Sequence, residues 1–319
     1  MELRHIRYFV AVAELRSFSR AAERLMLAQS PLSQQIRKLE RELGVRLFER
    51  TSRSVALTHA GKVFYERVRR LPEAGEEAGA AARRAARGEQ GRLAVGFVGS
   101  ATYELLPGVV RAHHERYPEV TLDLHGEMLT AAQLDGLLDG SLAVGVLRPS
   151  TQAEGVVVEV LRQEKLVALL PVQHPLAGER AVPLAALSGE WFLSHPGQPP
   201  SAMYGAMLQA CRQAGFLPRV RQEVKETATL VALVAAGLGV ALVPASVQRL
   251  HLGGTAYRPL APPCPEVALA LAYREGEVSP LLRRFLETTR SVIRSRERPP
   301  VRNPAQSRPD DDGFFELTI

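Results

Sequence analysis

Apolar residues near the start of the chain recur at intervals of three and four. Leu3, Ile6, Phe9, Val10 and Ala13 form one such stripe, which predicts a helix burying a single face. Ser17 or Ser19 can cap a short second helix through Ala21-Ala22-Glu23-Arg24-Leu25-Met26, whose alanine pair admits a close neighbour. After Leu27-Ala28-Gln29, Ser30 and Pro31 predict the N-cap and first turn of a third helix that ends at Gly44. Its inward stripe is Leu32, Ile36, Leu39 and Leu43, which leaves Ser33, Gln34, Arg37, Lys38 and Arg41 outside. Two strand-like runs follow, Arg46-Leu47-Phe48-Glu49-Arg50 and Val55-Ala56-Leu57-Thr58, flanking Thr51-Ser52-Arg53-Ser54 as a hairpin with a basic tip. Thr58 then caps an alanine-rich helical stretch towards Arg87-Gly88, in which Pro72, with Gly75 and Gly79 behind it, predicts a bend after Leu71.

From Arg92 the pattern changes to short apolar runs alternating with amphipathic segments, as an α/β domain requires. Strands are expected at 93–98, 120–124, 142–147, 156–161, 166–170 and 267–273. Helices are expected at about 102–116, 131–138, 202–214 and 281–293. His174-Pro175-Leu176 opens a second lobe containing Trp191-Phe192-Leu193 and the segment from Leu230 to Pro244, and the strand from Val267 returns to the first lobe. The domains predicted are 1–58, a linker helix over 59–90, and a two-lobed domain over 91–295. Lobe I takes about 91–162 and 267–295, and lobe II about 163–266. Residues 296–319, with Pro299-Pro300, Pro304, Pro309 and Asp310-Asp311-Asp312, lack the apolar content of a core and are expected to be a disordered tail.

A chain of 319 residues with 46% apolar content can bury two or three cores. It contains no apolar run of about 18 residues, and Met1-Glu2-Leu3-Arg4-His5 is charged where a secretory signal would be apolar. A cytoplasmic protein without a membrane partner is expected. Cys211 and Cys264 lie far apart and outside any C-x-x-C spacing, which argues against a disulfide framework or a zinc site. The net charge of +6 is unevenly spread: residues 1–90 hold 18 Lys and Arg against 11 Asp and Glu, a net +7, whereas residues 91–319 hold 22 against 23, a net −1. Only the first part is therefore suited to a polyanion.

On the third helix, Gln matches an adenine edge, Arg a guanine edge, and Ser or Lys a phosphate. A solvated surface helix would carry the same side chains. The basic hairpin beside it favours the winged helix-turn-helix, with Arg50 and Arg53 placed to touch the DNA backbone or minor groove.

The runs Phe18-Ser19-Arg20-Ala21-Ala22, Gln29-Ser30-Pro31-Leu32-Ser33-Gln34-Gln35-Ile36, Leu39-Glu40, Leu43-Gly44, Leu47-Phe48-Glu49-Arg50 and Leu57-Thr58-His59-Ala60-Gly61 resemble the N-terminal signature of LysR-type transcriptional regulators. The resemblance implies a winged helix-turn-helix, a linker helix that pairs two subunits, and a two-lobed α/β effector domain like a periplasmic binding protein. It also implies a homodimer or homotetramer on an interrupted dyad in duplex DNA near a promoter, in contact with RNA polymerase. It places Gln29, Ser30, Pro31, Ser33 and Gln34 at the groove-reading end of helix three, with Arg37 beside them and Arg53 on the wing. Gln34 departs from the arginine frequent at that position in relatives.

Over Gly96-Phe97-Val98-Gly99-Ser100, Leu105-Leu106-Pro107 and Val234 to Ser246 the chain is similar to regulators of aromatic-compound breakdown, which respond to muconate, benzoate or related acids. Ser100, Thr130 and Ser201 each lie at a strand-to-helix edge, where a hydroxyl and free backbone N–H groups can meet a small carboxylate. An ordinary N-cap explains each of them singly; the three together, within the family frame, favour an effector site. Met203 falls where similar regulators carry an aromatic pocket residue. Arg148 and Arg162 can supply counter-charge, or can be held in salt bridges such as Arg162 with Glu164.

No catalytic or metal-ligand constellation stands out: G-x-S-x-G and H-E-x-x-H are missing, and His113-His114 point to different faces of a helix. The expectation is a regulator that is not an enzyme and needs no cofactor or metal. A redox-sensing or other-metabolite regulator of the same family is one alternative. A solute-binding protein without a role in transcription is another.

Overall fold

Helix α1 (Leu3–Leu15) buries Ile6, Phe9, Val10 and Val12 as its stripe predicts, together with His5, while Leu3 remains exposed. The structure, a computed structural model, describes residues 1–51, 54–149, 154–198, 201–276 and 278–297, and it forms two units, Met1–Ala86 and the chain from Arg87 on.

In the first unit α2 (Phe18–Arg24) is capped by Ser17, whose hydroxyl accepts the Arg20 N–H. Helix α3 (Gln29–Leu43) corrects the predicted start. Its N-cap is Ala28, in extended conformation and without a side-chain hydrogen bond, so Ser30 and Pro31 lie inside the first turn. Gly44 ends the helix with a left-handed φ of 71°, a conformation open to glycine at little cost. Strands β1 (Phe48–Arg50) and β2 (Val55–Leu57) pair antiparallel as the hairpin; its tip at Ser52 and Arg53 lies outside the described residues. Phe9 gathers Phe48 and Phe64 at ring distances of 5.2 and 5.0 Å, and this cluster joins α1, the hairpin and α4 (His59–Val68) in one core. Thr58 caps α4 by accepting the Gly61 N–H and also donates to the Arg46 carbonyl.

The expected single linker helix is two elements. Helix α4 stops at Val68, and α5 (Leu71–Ala86) begins after two intervening residues, so the interruption precedes Leu71 and Pro72 sits in the first turn, where it sacrifices no helical bond. Gly75 faces α1: a Cβ there would lie 3.0 Å from the Leu3 side chain. None of the residues of α5 is buried within the chain.

In the second unit β3 (Gln90–Phe97) pairs parallel with β4 (Glu119–His125) and β5 (Val144–Leu147). Between these strands run α6 (Gly99–Thr102), α7 (Leu105–Arg116) and α8 (Thr130–Asp139). Two strands were expected between Val156 and Leu170, but β6 (Val156–Pro171) is continuous. Its first part pairs with β11 (Glu266–Arg274), the strand that returns to lobe I beside β5. Its second part enters lobe II between β9 (Ala241–Pro244) and β10 (Thr255–Pro259). The polar run Arg162-Gln163-Glu164-Lys165 suggested a break. It stays in the strand because Glu164, buried at its centre, is neutralised by two arginines.

Lobe II adds the parallel pair β7 (Trp191–Ser194) and β8 (Arg219–Glu223), and the helices α9 (Ala202–Gln213) and α10 (Thr227–Ala235). The chain then returns through β11 to α11 (Pro280–Glu297), which packs with α7 on one face of the lobe I sheet. Helix α11 extends past the predicted boundary at 295; residues 298–319, where the tail was expected, lie outside the described residues. No helix of the described residues is long and apolar enough to cross a membrane.

Candidate nucleic-acid interface and ligand cavity

Helix α3 turns Leu32, Ile36 and Leu39 into the core, so its period fixes what faces outward. Gln29, Ser30, Pro31, Gln34 and Arg37 are exposed together over its first turns. The Ser19 hydroxyl donates to Gln29 Oε1 at 3.0 Å and orients that amide. Towards the end of α3, Gln34, Arg37 and Arg41 share a groove with Arg46 from the loop before β1. Arg46 was not expected there; an exposed arginine flanking a strand carries no signal of which neighbour it will join.

Ser33 and Arg50 differ from expectation. Arg50 donates to the Ser33 hydroxyl at 3.1 Å, reaches Glu40 at 3.5 Å and stacks 4.4 Å above the Phe18 ring. Burial pulls its pKa below the ordinary guanidinium value; Glu40 opposes this shift, and Arg37 and Arg46 add to it. Arg50 therefore links the hairpin to α2 and α3, and its exposed guanidinium has more N–H groups than these contacts use. Glu40 serves the same brace, accepting the Leu47 and Phe48 N–H groups at 2.8 and 3.1 Å. Arg53 lies outside the described residues.

In the second unit a small cavity of about 40 Å³ opens between the lobes. Ser100, Thr130, Arg148, Ser201 and Met203 all line it; Arg162 does not. Parallel βα units place helix N-termini at the carboxyl ends of strands, and the first turns of α8, α9 and α10 accordingly meet here with their unbonded N–H groups. The three hydroxyls are not equivalent. The Ser100 oxygen accepts Nε and Nη2 of Arg148 at 3.1 and 3.0 Å, which leaves its proton for a ligand. Thr130 donates its hydroxyl to the Arg148 carbonyl at 2.8 Å, so it offers its backbone N–H. Ser201 is the N-cap of α9, accepting the Tyr204 N–H at 3.1 Å, and its O–H has no acceptor among the described residues.

The two arginines are committed to structure. Arg148, 2% exposed, pairs with the buried Glu164 and donates to the Ala268 carbonyl, so it is not a free counter-charge. Its pKa is lowered by burial, an effect that Glu164 opposes. Arg162 bonds Glu104 at 3.1 and 3.2 Å and the other oxygen of Glu164, and it lines a separate open groove with Lys165, Gln248 and Arg249.

Residues that were not anticipated complete the cavity: Glu127 and Met128 from the loop before α8, His195 after β7, and Lys225 and Thr227 at the start of α10. His195 Nδ1 is buried without a hydrogen-bond partner among the described residues. Burial lowers the pKa of His195, and the Lys225 and Val224 carbonyls oppose the shift. Thr227 could have been found as another hydroxyl opening an apolar helix. Glu127 sits in an irregular loop, which offers no periodicity to read.

Cys211 is fully buried, and burial raises its thiol to about 12; Cys264 donates its S–H to the Leu260 carbonyl. Neither has the electropositive, accessible setting of a reactive thiol. No cluster of potential metal ligands occurs among the described residues.

Comparison with known proteins gives two family matches: the bacterial regulatory helix-turn-helix protein of the lysR family over residues 3–62, and the LysR substrate binding domain over residues 86–294. Among curated relatives, the regulator AlsR of Bacillus subtilis is 39% identical over 287 residues, covering 90% of this chain and 94% of AlsR. BenM of Acinetobacter baylyi is 36% identical over 294 residues, covering 92% and 96%. Among solved structures, the LysR-family regulator CbnR superposes with a TM-score of 0.81 at 32% identity, covering 91% of this chain and 100% of CbnR. Full-length CbnR complexed with its target DNA gives 0.79 at 31%, covering 92% and 100%. The BenM effector binding domain with benzoate gives 0.58 at 28%, covering 66% of this chain and 96% of that domain.

Proposed function

The chain belongs to the LysR family of DNA-binding transcriptional regulators, and from that premise we propose that α3 reads an operator while the interlobe cavity senses a small carboxylate. The output is control of a catabolic operon, with an aromatic-derived acid as the first class to test. The DNA half of the reading is carried by the joint exposure of Gln29, Ser30, Pro31, Gln34 and Arg37 on one face of α3, with the basic groove beside it. The likeness to CbnR, solved with its target DNA, supports it. A 16-residue α5 with no side chain buried in its own chain supports pairing with a second copy, and thus a dimer or tetramer on an interrupted dyad in reach of RNA polymerase. Such a role belongs in the cytoplasm.

The ligand half is carried by one convergence: the Ser100 proton, the Thr130 N–H and the Ser201 hydroxyl around one cavity. A carboxylate needs such donors, and it needs no lone cation when helix ends supply the positive potential. The benzoate bound to the BenM domain is a precedent for the ligand class. The buried state of Cys211 favours this reading over a redox switch.

Two measurements test the proposal. Anisotropy titration against a duplex enriched from a random library should show Gln29→Ala changing the preferred sequence, with a loss of about tenfold at its base pair. An unchanged preference removes α3 as the reader. Thermal shifts with benzoate and cis,cis-muconate should include one acid that stabilises the full chain, and Ser100→Ala should abolish the shift. A flat response to both acids rejects the acid reading of the cavity.

A further inference from the structure

One wall of the interlobe cavity is a carboxylate that belongs to the protein. Glu127, in the lobe I loop before α8, reaches across to lobe II and accepts the N–H of Thr227, the first residue of α10, at 3.1 Å. The chain is shaped around this contact. Glu127 itself has a left-handed φ of 54°, a conformation that a side chain other than glycine, asparagine or aspartate seldom takes. Gly99 has no Cβ where one would lie 2.0 Å from Glu127 Oε2 and 2.6 Å from the Thr227 hydroxyl. Glu127 is half withdrawn from water; burial raises its pKa, the Thr227 N–H opposes that, and the charge of Glu226 adds to it.

The other donors of the cavity remain open to a ligand: the Ser100 proton, the Thr130 N–H and the Ser201 hydroxyl. Glu127 shares the cavity with these donors and with Lys225, and its Oε2 lies against Gly99, the neighbour of Ser100. A second carboxylate placed beside Glu127 would meet a like charge in a partly dry cleft, where the Thr227 N–H is already occupied. A neutral end, or one bearing a hydroxyl or amino donor, meets no such charge. Building on the acid-sensing reading above, we infer that Glu127 is the specificity-determining residue of the cavity: it admits compact monocarboxylates and excludes dicarboxylates.

Isothermal titration of the full chain with benzoate, cis,cis-muconate and monomethyl muconate tests this. Wild type should bind benzoate and the monoester at least about tenfold tighter than muconate, the discrimination expected of one like-charge contact in a partly desolvated site. Glu127→Gln keeps an acceptor for the Thr227 N–H and removes the charge. It should erase the preference for the monoester and tighten muconate by about tenfold, with benzoate changed by less than about threefold. The ester comparison in wild type stands even if the variant fails to fold. Equal wild-type affinity for muconate and its monoester overturns the inference and leaves the acid reading intact, as does a muconate-to-benzoate ratio that Glu127→Gln does not change. Failure of all three compounds to bind either protein overturns the acid reading and this inference with it.

Discussion

Replacing Glu164 by alanine should leave a buried cation without its carboxylate. Glu164 is 6% exposed and holds Nη2 of Arg148 on one oxygen and Nη2 of Arg162 on the other, with the Ser246 hydroxyl 3.3 Å away. Arg162 keeps Glu104 as a partner at 3.1 Å, but Arg148, itself 2% exposed, is left with the Ser100 hydroxyl and the Ala268 carbonyl. Removing one side of a buried ion pair costs about 3–5 kcal/mol because the survivor is neither solvated nor paired. The lower end is expected here, since Arg148 retains neutral acceptors. In a unit of this size about 3 kcal/mol lowers Tm by roughly 6–12 °C.

The single tryptophan, Trp191, lies on β7 of the second unit, so its fluorescence in urea reports that unit alone. The double variant Glu164→Leu with Arg148→Met removes both charges and should recover at least half of the loss, because a buried pair is replaced at little cost by apolar side chains of similar volume. A Glu164→Ala loss below about 1 kcal/mol would refute the claim that this pair holds β6 continuous between the lobes. A double variant as unstable as the two single changes added together would refute it equally.

His113 lies in the lobe I core against Tyr117 and Phe285, and burial lowers its pKa from 6.5 to about 4. The unfolded chain therefore takes up a proton between pH 6.5 and 4 that the folded chain refuses, and stability present above pH 6.5 should fall by about 3 kcal/mol as the pH drops to 4. His113→Phe should flatten that dependence in urea titrations followed at Trp191. Gly61→Ala places a Cβ 2.0 Å from the Leu47 carbonyl oxygen and should destabilise the first unit by about 1–3 kcal/mol, read from circular-dichroism melting. Glu40→Ala removes the acceptor for the Leu47 and Phe48 N–H groups and for Arg50. It should cost about 1–3 kcal/mol and weaken operator binding without altering the preferred sequence, as an anisotropy titration on variant duplexes would show.

The outward face of α3 was legible because a single helical period decides both sides at once: Leu32, Ile36 and Leu39 enter the core, and Gln34 and Arg37 therefore cannot. The helix start was not legible. Ala28 supplies only an extended backbone, so Ser30, two residues further on and inside the first turn, offered a false cap. Contacts distant in sequence escaped for a different reason. Arg162 to Lys165 reads as a break until Glu104, 58 positions earlier, and Arg148 are brought to it, and the charge of Arg50 reads as free until Phe18 and Ser33 are folded beneath it.

In the cavity the division falls between regular and irregular backbone. Helices that follow parallel strands start at one edge of the sheet, so hydroxyls at their first turns could be grouped from spacing within the family frame, which put Ser100, Thr130 and Ser201 together and would have added Thr227. The carboxylate facing them comes from a loop and reaches a partner 100 positions away through a left-handed backbone turn. Repeating elements thus reveal where the donors of the cavity gather, whereas the carboxylate that faces them, Glu127, lies outside any repeat.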